Sequence, residues 1–432
     1  MSVELATIVL FGGLLLLLFL GVPVAFAIGA LCVPLIFLLW GQSGLLTLVT
    51  TTVGTITDPT LITIPLFVLM GNFLLHSGIS DRLFQALSYW LSGVRGGLAI
   101  VSVAVCVALD MCTGFGPGIL TMGMIAVPAM LKRGYDKRLA VGTVLAGGAG
   151  DILPPSIIMI IFAYVARVSV GRLFFAGFIP GFVLAGSYML YVAIRCYLQP
   201  QLAPPLAEAV TWKMRTASLR EVVPPTLLIV AVLGSIFLGI ATPTEAAAVG
   251  AFGAFLCCLG YRRFSWKMLR TSCLETLKIS GMVLWILVAA TLFGITTNMA
   301  GIRELVIGVT SGLPVNPWVI LIGMQLILLV FGMFMDDYAI VTICAPIFIP
   351  IAASLGFDLI WFSIVFILNM QVAYLTPPFG WALILMRGVA PPEITTADIW
   401  RSVPPFIGIQ VLVLVLTMLL PQLALWLPGK MI

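Results

Sequence analysis

Apolar stretches of about 20 residues recur along nearly the whole chain, and no large soluble domain fits between them. A helix needs about 20 apolar residues to cross the hydrocarbon core of a bilayer. The chain is 62% apolar and only 9% charged, whereas soluble domains are about 45–50% apolar and about 25% charged. Such a chain cannot cover its surface with polar groups in water. The sequence therefore predicts an all-α polytopic membrane protein.

The sequence offers little for catalysis. One histidine, His76, cannot alone build a zinc site or a Ser-His-Asp relay. The eight cysteines lack metal-ligand spacing and are interpreted as small core residues. No Walker A motif is present, so ATP hydrolysis by that route is excluded. We predict that the chain is not an enzyme, and we attribute its net charge of +5 to cytoplasmic loops rather than to nucleic-acid binding.

The two halves of the chain repeat each other. Short motifs recur in the same order at an offset of 222 or 223 residues. The matching pairs are Gly78-Ile79 with Gly301-Ile302, Pro128 with Pro350, Gly134 with Gly356, and Pro154-Pro155 with Pro377-Pro378. Near the start, Phe19–Gly21 recurs as Phe237–Gly239. Several ordered matches at nearly one offset indicate an internal duplication.

Basic residues set the orientation of the two repeats. Placing the basic clusters in the cytoplasm leaves 17 of the 21 basic residues inside. The four outside are Arg167, Arg172, Arg303 and Lys430. This bias predicts inverted repeats at residues 1–197 and 223–432, joined by a cytoplasmic linker at 198–222. Ten crossings with both termini outside the cytoplasm satisfy it.

Each repeat is predicted to contain a re-entrant hairpin and a broken crossing. In the first repeat the hairpin spans residues 97–131 and opens to the cytoplasm, and the broken crossing spans 139–166. In the second, the hairpin spans 316–355 and opens outside, and the broken crossing spans 359–387. Residues 262–278 carry basic and aromatic side chains and are predicted to form an arm along the membrane interface.

Glycine and proline interrupt the predicted hairpins and crossings at matching places. The tips are Thr113–Gly118 and Gly332–Asp337, and the crossings break at Pro154-Pro155 and Pro377-Pro378. Proline has no N–H, so carbonyls just before it lose their helical partners. Freed carbonyls and half-helix ends suit a sodium ion and a carboxylate, and paired breaks point to a transporter site. The alternative is a pair of proline kinks at a packing interface.

Acids within apolar segments are costly and usually functional. Asp110 and Asp151 interrupt uncharged stretches. Glu245 follows Thr242 and a proline, so helix capping is an alternative role for it. The candidate substrate or ion ligands lie at a tip, a break or this helix start: Asp110, Thr113, Gly114, Gly116, Gly150, Asp151, Pro154, Pro155, Ser156, Thr242, Thr244, Glu245, Gly332, Asp336, Asn369, Thr376, Pro377, Pro378 and Gly380. Sodium is expected at the tips and breaks, near Thr113, Gly114, Asp151, Leu153, Gly332 and Thr376. No organic cofactor is expected.

Six strings of the sequence form a combined signature. They are Ile64–Phe67 with Met70–Asn72, Arg133–Asp136, Pro154–Ser156, Thr242–Ala248, Gly332–Asp336 and Leu375–Pro378. Together they resemble the large membrane subunit of tripartite ATP-independent periplasmic (TRAP) transporters. The resemblance runs in order over nearly all of the chain.

The resemblance implies a small four-helix membrane subunit, a periplasmic solute-binding protein and an organic-acid substrate as partners. It also implies sodium-driven symport by an elevator motion in the inner membrane of a bacterium or archaeon. The first hairpin tip departs from the family pattern, because it has no serine, and Asp151 stands where the family often has an apolar or small residue. Backbone carbonyls, Thr113 and Asp151 would then hold the first ion. Proton coupling through Asp151 is the alternative.

Two other functions compete with this one. A self-sufficient sodium–dicarboxylate symporter of similar architecture would need no binding protein. A membrane enzyme is a second alternative, which the lack of a nucleophile–histidine pair and of metal-ligand spacing disfavours.

Overall fold

The structure is a computed structural model that describes residues 2–113, 118–148, 152–204, 210–312 and 314–431. Within these ranges the secondary structure is helical, without β-strands. The helices of the first half are α1 (Val3–Phe19), α2 (Val24–Ile56), α3 (Thr63–His76), α4 (Ile79–Trp90), α5 (Gly97–Thr113), α6 (Gly118–Lys132), α7 (Lys137–Gly147), α8 (Ile157–Ala166) and α9 (Val170–Leu198). Short 3-10 turns at Pro59–Ile62 and Pro200–Leu202 precede α3 and follow α9.

The second half repeats this order. Its helices are α10 (Trp212–Phe237), α11 (Pro243–Gly260), α12 (Trp266–Met299), α13 (Ile302–Ser311), α14 (Pro317–Gly332), α15 (Asp337–Ser354), α16 (Leu359–Leu375), α17 (Trp381–Val389), α18 (Thr396–Ser402), α19 (Pro404–Leu419) and α20 (Gln422–Leu425), followed by a 3-10 turn at Pro428–Lys430. Eight continuous helical stretches are long and apolar enough to cross a membrane. The chain is therefore the all-α, multi-pass membrane protein that its sequence predicts.

Repeat-related glycines share one backbone conformation. Gly78 and Gly301, which precede α4 and α13, have φ of 73° and 72°. Gly134 and Gly356 have φ of 77° and 80°. Only glycine adopts this left-handed conformation without steric cost. The recurring motifs thus mark recurring turns, as the duplication predicts.

Both predicted hairpins and both predicted broken crossings are present. Helices α5 and α6 form hairpin 1, and α14 and α15 form hairpin 2. The first broken crossing is α7 and α8, separated by residues 148–156, here called break 1. The second is α16 and α17, separated by residues 376–380, here called break 2. The Pro-Pro bond in each break is cis.

Helix bounds differ from the prediction at the linker and at the arm. Helix α10 begins at Trp212, inside the predicted linker, because Thr211 caps it by accepting the N–H of Met214. The predicted arm is not a separate element, since residues from Trp266 onward form the start of the 34-residue helix α12. Such a helix is about 51 Å long, well beyond the hydrocarbon thickness of about 30 Å. Its charged first turns therefore reach past the apolar layer or lie at a tilt.

Helix packing sorts the elements into two groups. The outer group is α1–α4 with α10–α13, in which α3 packs on α11 and α12, and α2 on α12. The inner group is α5–α9 with α14–α20, which contains both hairpins and both broken crossings. At its centre, α16 is buried from Ile360 to Leu375. The groups meet where α3 and α4 touch α5 and where α12 and α13 touch α15.

Two glycines of α9 leave room for break 1. A methyl group added at Gly177 would overlap the carbonyl oxygen of Ile152. One added at Gly181 would lie 2.7 Å from the side chain of Leu153. These residues stand one turn apart, so they form a groove along one face of α9. Break 1 lies in that groove.

Labelling of introduced cysteines tests the predicted orientation. In a Cys273→Ser background, which removes an exposed thiol, Lys213→Cys should resist a membrane-impermeant maleimide added to intact cells. Lys430→Cys, on the predicted outside, is the matched control and should react. Both parent lysines are exposed in the structure, so access to the reagent depends on the side of the membrane. Periplasmic labelling at residue 213 would overturn the topology.

Alanine substitutions in α9 test the groove. Gly177→Ala should destabilise the protein by about 1–3 kcal/mol, because the methyl group overlaps a backbone carbonyl that cannot move alone. Gly186→Ala is the matched control, since nothing lies within 4 Å of a methyl group there. The measurement is the melting temperature of the purified protein. Equal melting temperatures for the two variants would show that break 1 does not rest on Gly177.

Candidate substrate and ion site

Asp110 holds the two arms of hairpin 1 together. Its carboxylate Oδ1 accepts the N–H of Gly118, the first residue of α6, at 3.3 Å. A methyl group at Gly118 would lie 2.7 Å from the same oxygen. The side chain of Asp110 is 1% exposed. An acid at the N-terminus of a helix is stabilised by the free N–H groups and by the helix dipole, so Asp110 has a capping role within the hairpin.

The end of α7 lies between the two arms of hairpin 1. A methyl group at Gly147 would lie 2.7 Å from Cβ of Cys106 on α5, and one at Gly148 would overlap the side chain of Ile119 on α6. Only hydrogen fits at these two positions. The start of break 1 is therefore brought against hairpin 1, as predicted.

The described part of break 1 is enclosed by protein. Residues 152–156, which include Leu153, Pro154 and Pro155, are all buried. Ser156 begins α8, and its hydroxyl accepts the N–H of Met159 at 3.4 Å. The hydroxyl of Thr113, at the end of α5, is buried and donates to the carbonyl of Leu109 at 2.9 Å. Both hydroxyl oxygens keep acceptor capacity, since a hydroxyl has two lone pairs.

Break 2 meets hairpin 2 in the corresponding way. A methyl group at Gly332, the last residue of α14, would overlap Cβ of Ala373 on α16. The rings of Phe334, in the tip, and Phe379, in the break, lie with centroids 5.7 Å apart. Unlike break 1, break 2 is partly open, because Pro378 and Phe379 are exposed.

Carbonyl oxygens gather around Gly380 in break 2. A methyl group at Gly380, whose φ is 23°, would lie 2.9 Å from the carbonyl oxygen of Thr376 and 3.0 Å from that of Tyr374. The hydroxyl of Thr376 donates to the carbonyl of Val372 at 2.6 Å. Gly380 thus allows the chain to fold back on the end of α16, next to Pro377 and Pro378. Oxygen atoms grouped in this way are the ligand type that hard cations prefer.

Asp336 and Asn369 have other partners. The carboxylate of Asp336 caps α15 by accepting the N–H of Ala339 at 2.8 Å. The amide nitrogen of Asn369 donates to the backbone and side-chain oxygens of Gln325 at 2.6 and 2.8 Å, within the buried core. Asn369 therefore ties α16 to α14. Its donor atoms are committed to that contact, although it stands near the second tip.

Three candidates lie in the outer group rather than at the tips. The hydroxyl of Thr242 accepts the N–H of Glu245, and the carboxylate of Glu245 accepts the N–H of Thr242 at 2.8 Å, which closes a capping box. The hydroxyl of Thr244 bonds that of Thr63 on α3 at 2.7 Å. Capping accounts for Glu245 without a ligand.

Four predicted ligands lie outside the described residues. They are Gly114, Gly116, Gly150 and Asp151. Across the described ranges, no cluster of three or more His, Cys, Asp or Glu side chains could hold a metal ion. A sodium site there would depend on carbonyl and hydroxyl oxygens.

Sequence reasoning missed the glycine at the boundary between the two groups. A methyl group at Gly71 on α3 would lie 2.6 Å from Cα of Thr113, at the tip end of α5. The string Met70–Asn72 marked the position, but no local rule gives its partner 42 residues away.

Comparisons with known proteins place these features in a family. The family described as the DctM component of tripartite ATP-independent periplasmic transporters matches residues 11–423. The C4-dicarboxylate TRAP transporter large permease protein DctM of Pseudomonas aeruginosa is 34% identical over 86% of this chain and 86% of its own length. The isethionate TRAP transporter permease protein DctMQ of Oleidesulfovibrio alaskensis is 30% identical, over 98% of this chain and 66% of its own length.

A solved structure shares the fold. The YdaH transporter of Alcanivorax borkumensis aligns with a TM-score of 0.69 at 17% identity, over 93% of this chain and 98% of that one. At this identity the likeness concerns the fold alone. The family match covers nearly the whole chain, and its members are transporter permeases, which confirms the prediction of a transport protein rather than an enzyme. The chain belongs to the DctM-component family of tripartite ATP-independent periplasmic transporters.

Proposed function

We propose that this chain is the large permease subunit of a binding-protein-dependent symporter that imports organic acids, driven by a sodium gradient. One observation carries the proposal: in each half of the inner group, a hairpin lies against the break of the crossing that follows it. Such paired interruptions build substrate and ion sites in secondary transporters. The relatives are named for C4-dicarboxylate and isethionate, both organic acids.

Three further elements belong to the proposal. A small membrane subunit would pack on the chain, in keeping with the longer DctMQ relative, of which this chain spans 66%. A periplasmic binding protein would deliver the substrate, and the complex would reside in the inner membrane. The family description, a tripartite periplasmic transporter, supports both.

An elevator motion of the inner group against the outer group completes the mechanism. The interface between the groups supports this motion, because Gly71 gives α3 and the tip end of α5 a smooth contact. Gly294 of α12 likewise faces Pro346 of α15, with 3.8 Å between that proline's Cβ and a methyl group added at the glycine. Flat contacts of this kind permit sliding between packed helices.

Dependence on a binding protein separates this function from its rival. In proteoliposomes that contain the chain and its small subunit, we expect sodium-driven uptake of a labelled organic acid only when the binding protein is added. A self-sufficient symporter would reach the same initial rate without it. Equal rates with and without the binding protein would therefore favour the rival.

Asp151→Asn tests ion coupling. A lone carboxylate beside a break needs a cation or donors to offset its desolvation. Losing an interaction with a charged group costs about 1.5–3 kcal/mol, so the sodium concentration for half-maximal uptake should rise roughly tenfold or more. Asp81→Asn is the control, because Asp81 is an exposed acid of the outer group. An unchanged sodium dependence, or a shift equal to that of Asp81→Asn, would leave Asp151 a structural acid.

A further inference from the structure

A cavity of about 800 Å³ lies between the inner and outer groups, away from the tips and breaks described above. The C-terminal end of α8 and part of α15 form its inner-group wall, and the turn before α3, with α12 and the start of α13, forms its outer-group wall. Small-molecule sites have volumes of about 300–1,000 Å³. The cavity is therefore large enough for an organic acid.

Two guanidinium groups give this cavity its charge. The charged residues that line it are Arg167, Arg303 and Asp58. The carboxylate of Asp58 already accepts the N–H of Thr60 at 2.8 Å, which caps the turn before α3. Among the described residues, neither arginine side chain has an ion pair or a hydrogen bond. Both arginines thus present unused donors to the cavity.

The backbone at Arg167 supports a functional role. Arg167 ends α8 in the left-handed conformation, with φ of 54°, which costs a residue with a side chain about 1–2 kcal/mol. Glycine is the usual residue at such a helix end. The repeat-related crossing makes no such demand, because α17 ends at Ala390 with extended backbone. Strain at a residue of this kind is a pointer to function.

The charge distribution of the chain makes the same point. The predicted topology leaves only four basic residues outside the cytoplasm, against 17 inside. Two of these four line one cavity. Since arginine is disfavoured on that side, their convergence calls for an anionic partner.

We propose that Arg167 and Arg303 form an entry site that binds the carboxylate or sulfonate of the organic acid before it reaches the hairpin tips. The site rests on the proposed function for the identity of its ligand. Guanidinium groups suit it, because their planar donors match both oxyanions. The walls belong to different groups, so an acid held by both arginines would contact the moving part and the fixed part together. The unpaired amide of Asn298 and the hydroxyl of Thr60 supply further polar groups to the walls.

A reporter thiol measures the potential in the cavity without any transport. The reporter is Thr60→Cys in the Cys273→Ser background, reconstituted in neutral phosphatidylcholine vesicles. Its reaction rates with an anionic and a cationic methanethiosulfonate reagent give a ratio. Arg303→Gln and Arg167→Gln should each lower that ratio roughly fourfold, the effect of one unit charge about 10 Å away in water on probes of opposite sign. Arg303→Lys should keep the ratio. Arg172→Gln is the matched control, since Arg172 is exposed on the first turn of α9 and does not line the cavity.

Competition then identifies the ligand. Succinate and isethionate should slow labelling of the reporter by the anionic reagent, and this protection should vanish in the Gln variants. An unchanged ratio in both Gln variants would overturn the proposal. So would protection produced only by adding phosphatidylglycerol to the vesicles, which would identify a lipid headgroup site. Failure of the proposed function is a separate result, because the parent protein would then show no sodium-driven uptake while the labelling pattern still held.

Discussion

Every interruption of a helix inside the membrane leaves backbone groups that lipid cannot satisfy, and the architecture of this chain follows from that constraint. The four interruptions are gathered into the inner group, where neighbouring helices cover them. Break 1 is buried along its described residues and lies in a groove of α9. The N–H that opens α6 is satisfied by Asp110 from across hairpin 1. Glycine makes these approaches feasible, because a side chain at Gly148, Gly177 or Gly332 would overlap the neighbouring chain.

The two breaks satisfy this constraint to different degrees. Break 1 is enclosed, whereas Pro378 and Phe379 of break 2 are exposed and the carbonyl oxygens of break 2 gather around Gly380. A duplicated architecture therefore contains two sites that are not equivalent. An ion at an enclosed site exchanges only when the protein around it moves, while one at an open site exchanges with less rearrangement. The difference gives the two halves distinct parts in one transport cycle.

Features written in local composition could be predicted from the sequence. The hairpins, the breaks and the duplication depend on glycine and proline at fixed places, and these residues act on their own backbone. Contacts between distant segments could not be predicted, and they decide the site. Nothing local places Gly71 against Thr113, or turns Asn369 toward Gln325 instead of an ion. The capping box at Glu245 shows the reverse case, in which a local motif explained an acid that also resembled a ligand.

The division of hydrogen bonds bears on how the molecule can move. Within the outer group, Arg82 pairs with Glu221 at 2.8 Å, and the amide of Asn72 donates to Thr276 at 3.0 Å. Within the inner group, the indole N–H of Trp361 donates to the carbonyl of Thr417 at 2.8 Å. Each of these bonds stays inside one group, while the close contacts at Gly71 and Gly294 are van der Waals contacts between groups. Directional bonds fix relative position, and van der Waals contact along a smooth face does not, because packing lost at one register is regained at the next. A boundary of this second kind lets the inner group change its height against the outer group without exposing an unpaired polar group to lipid.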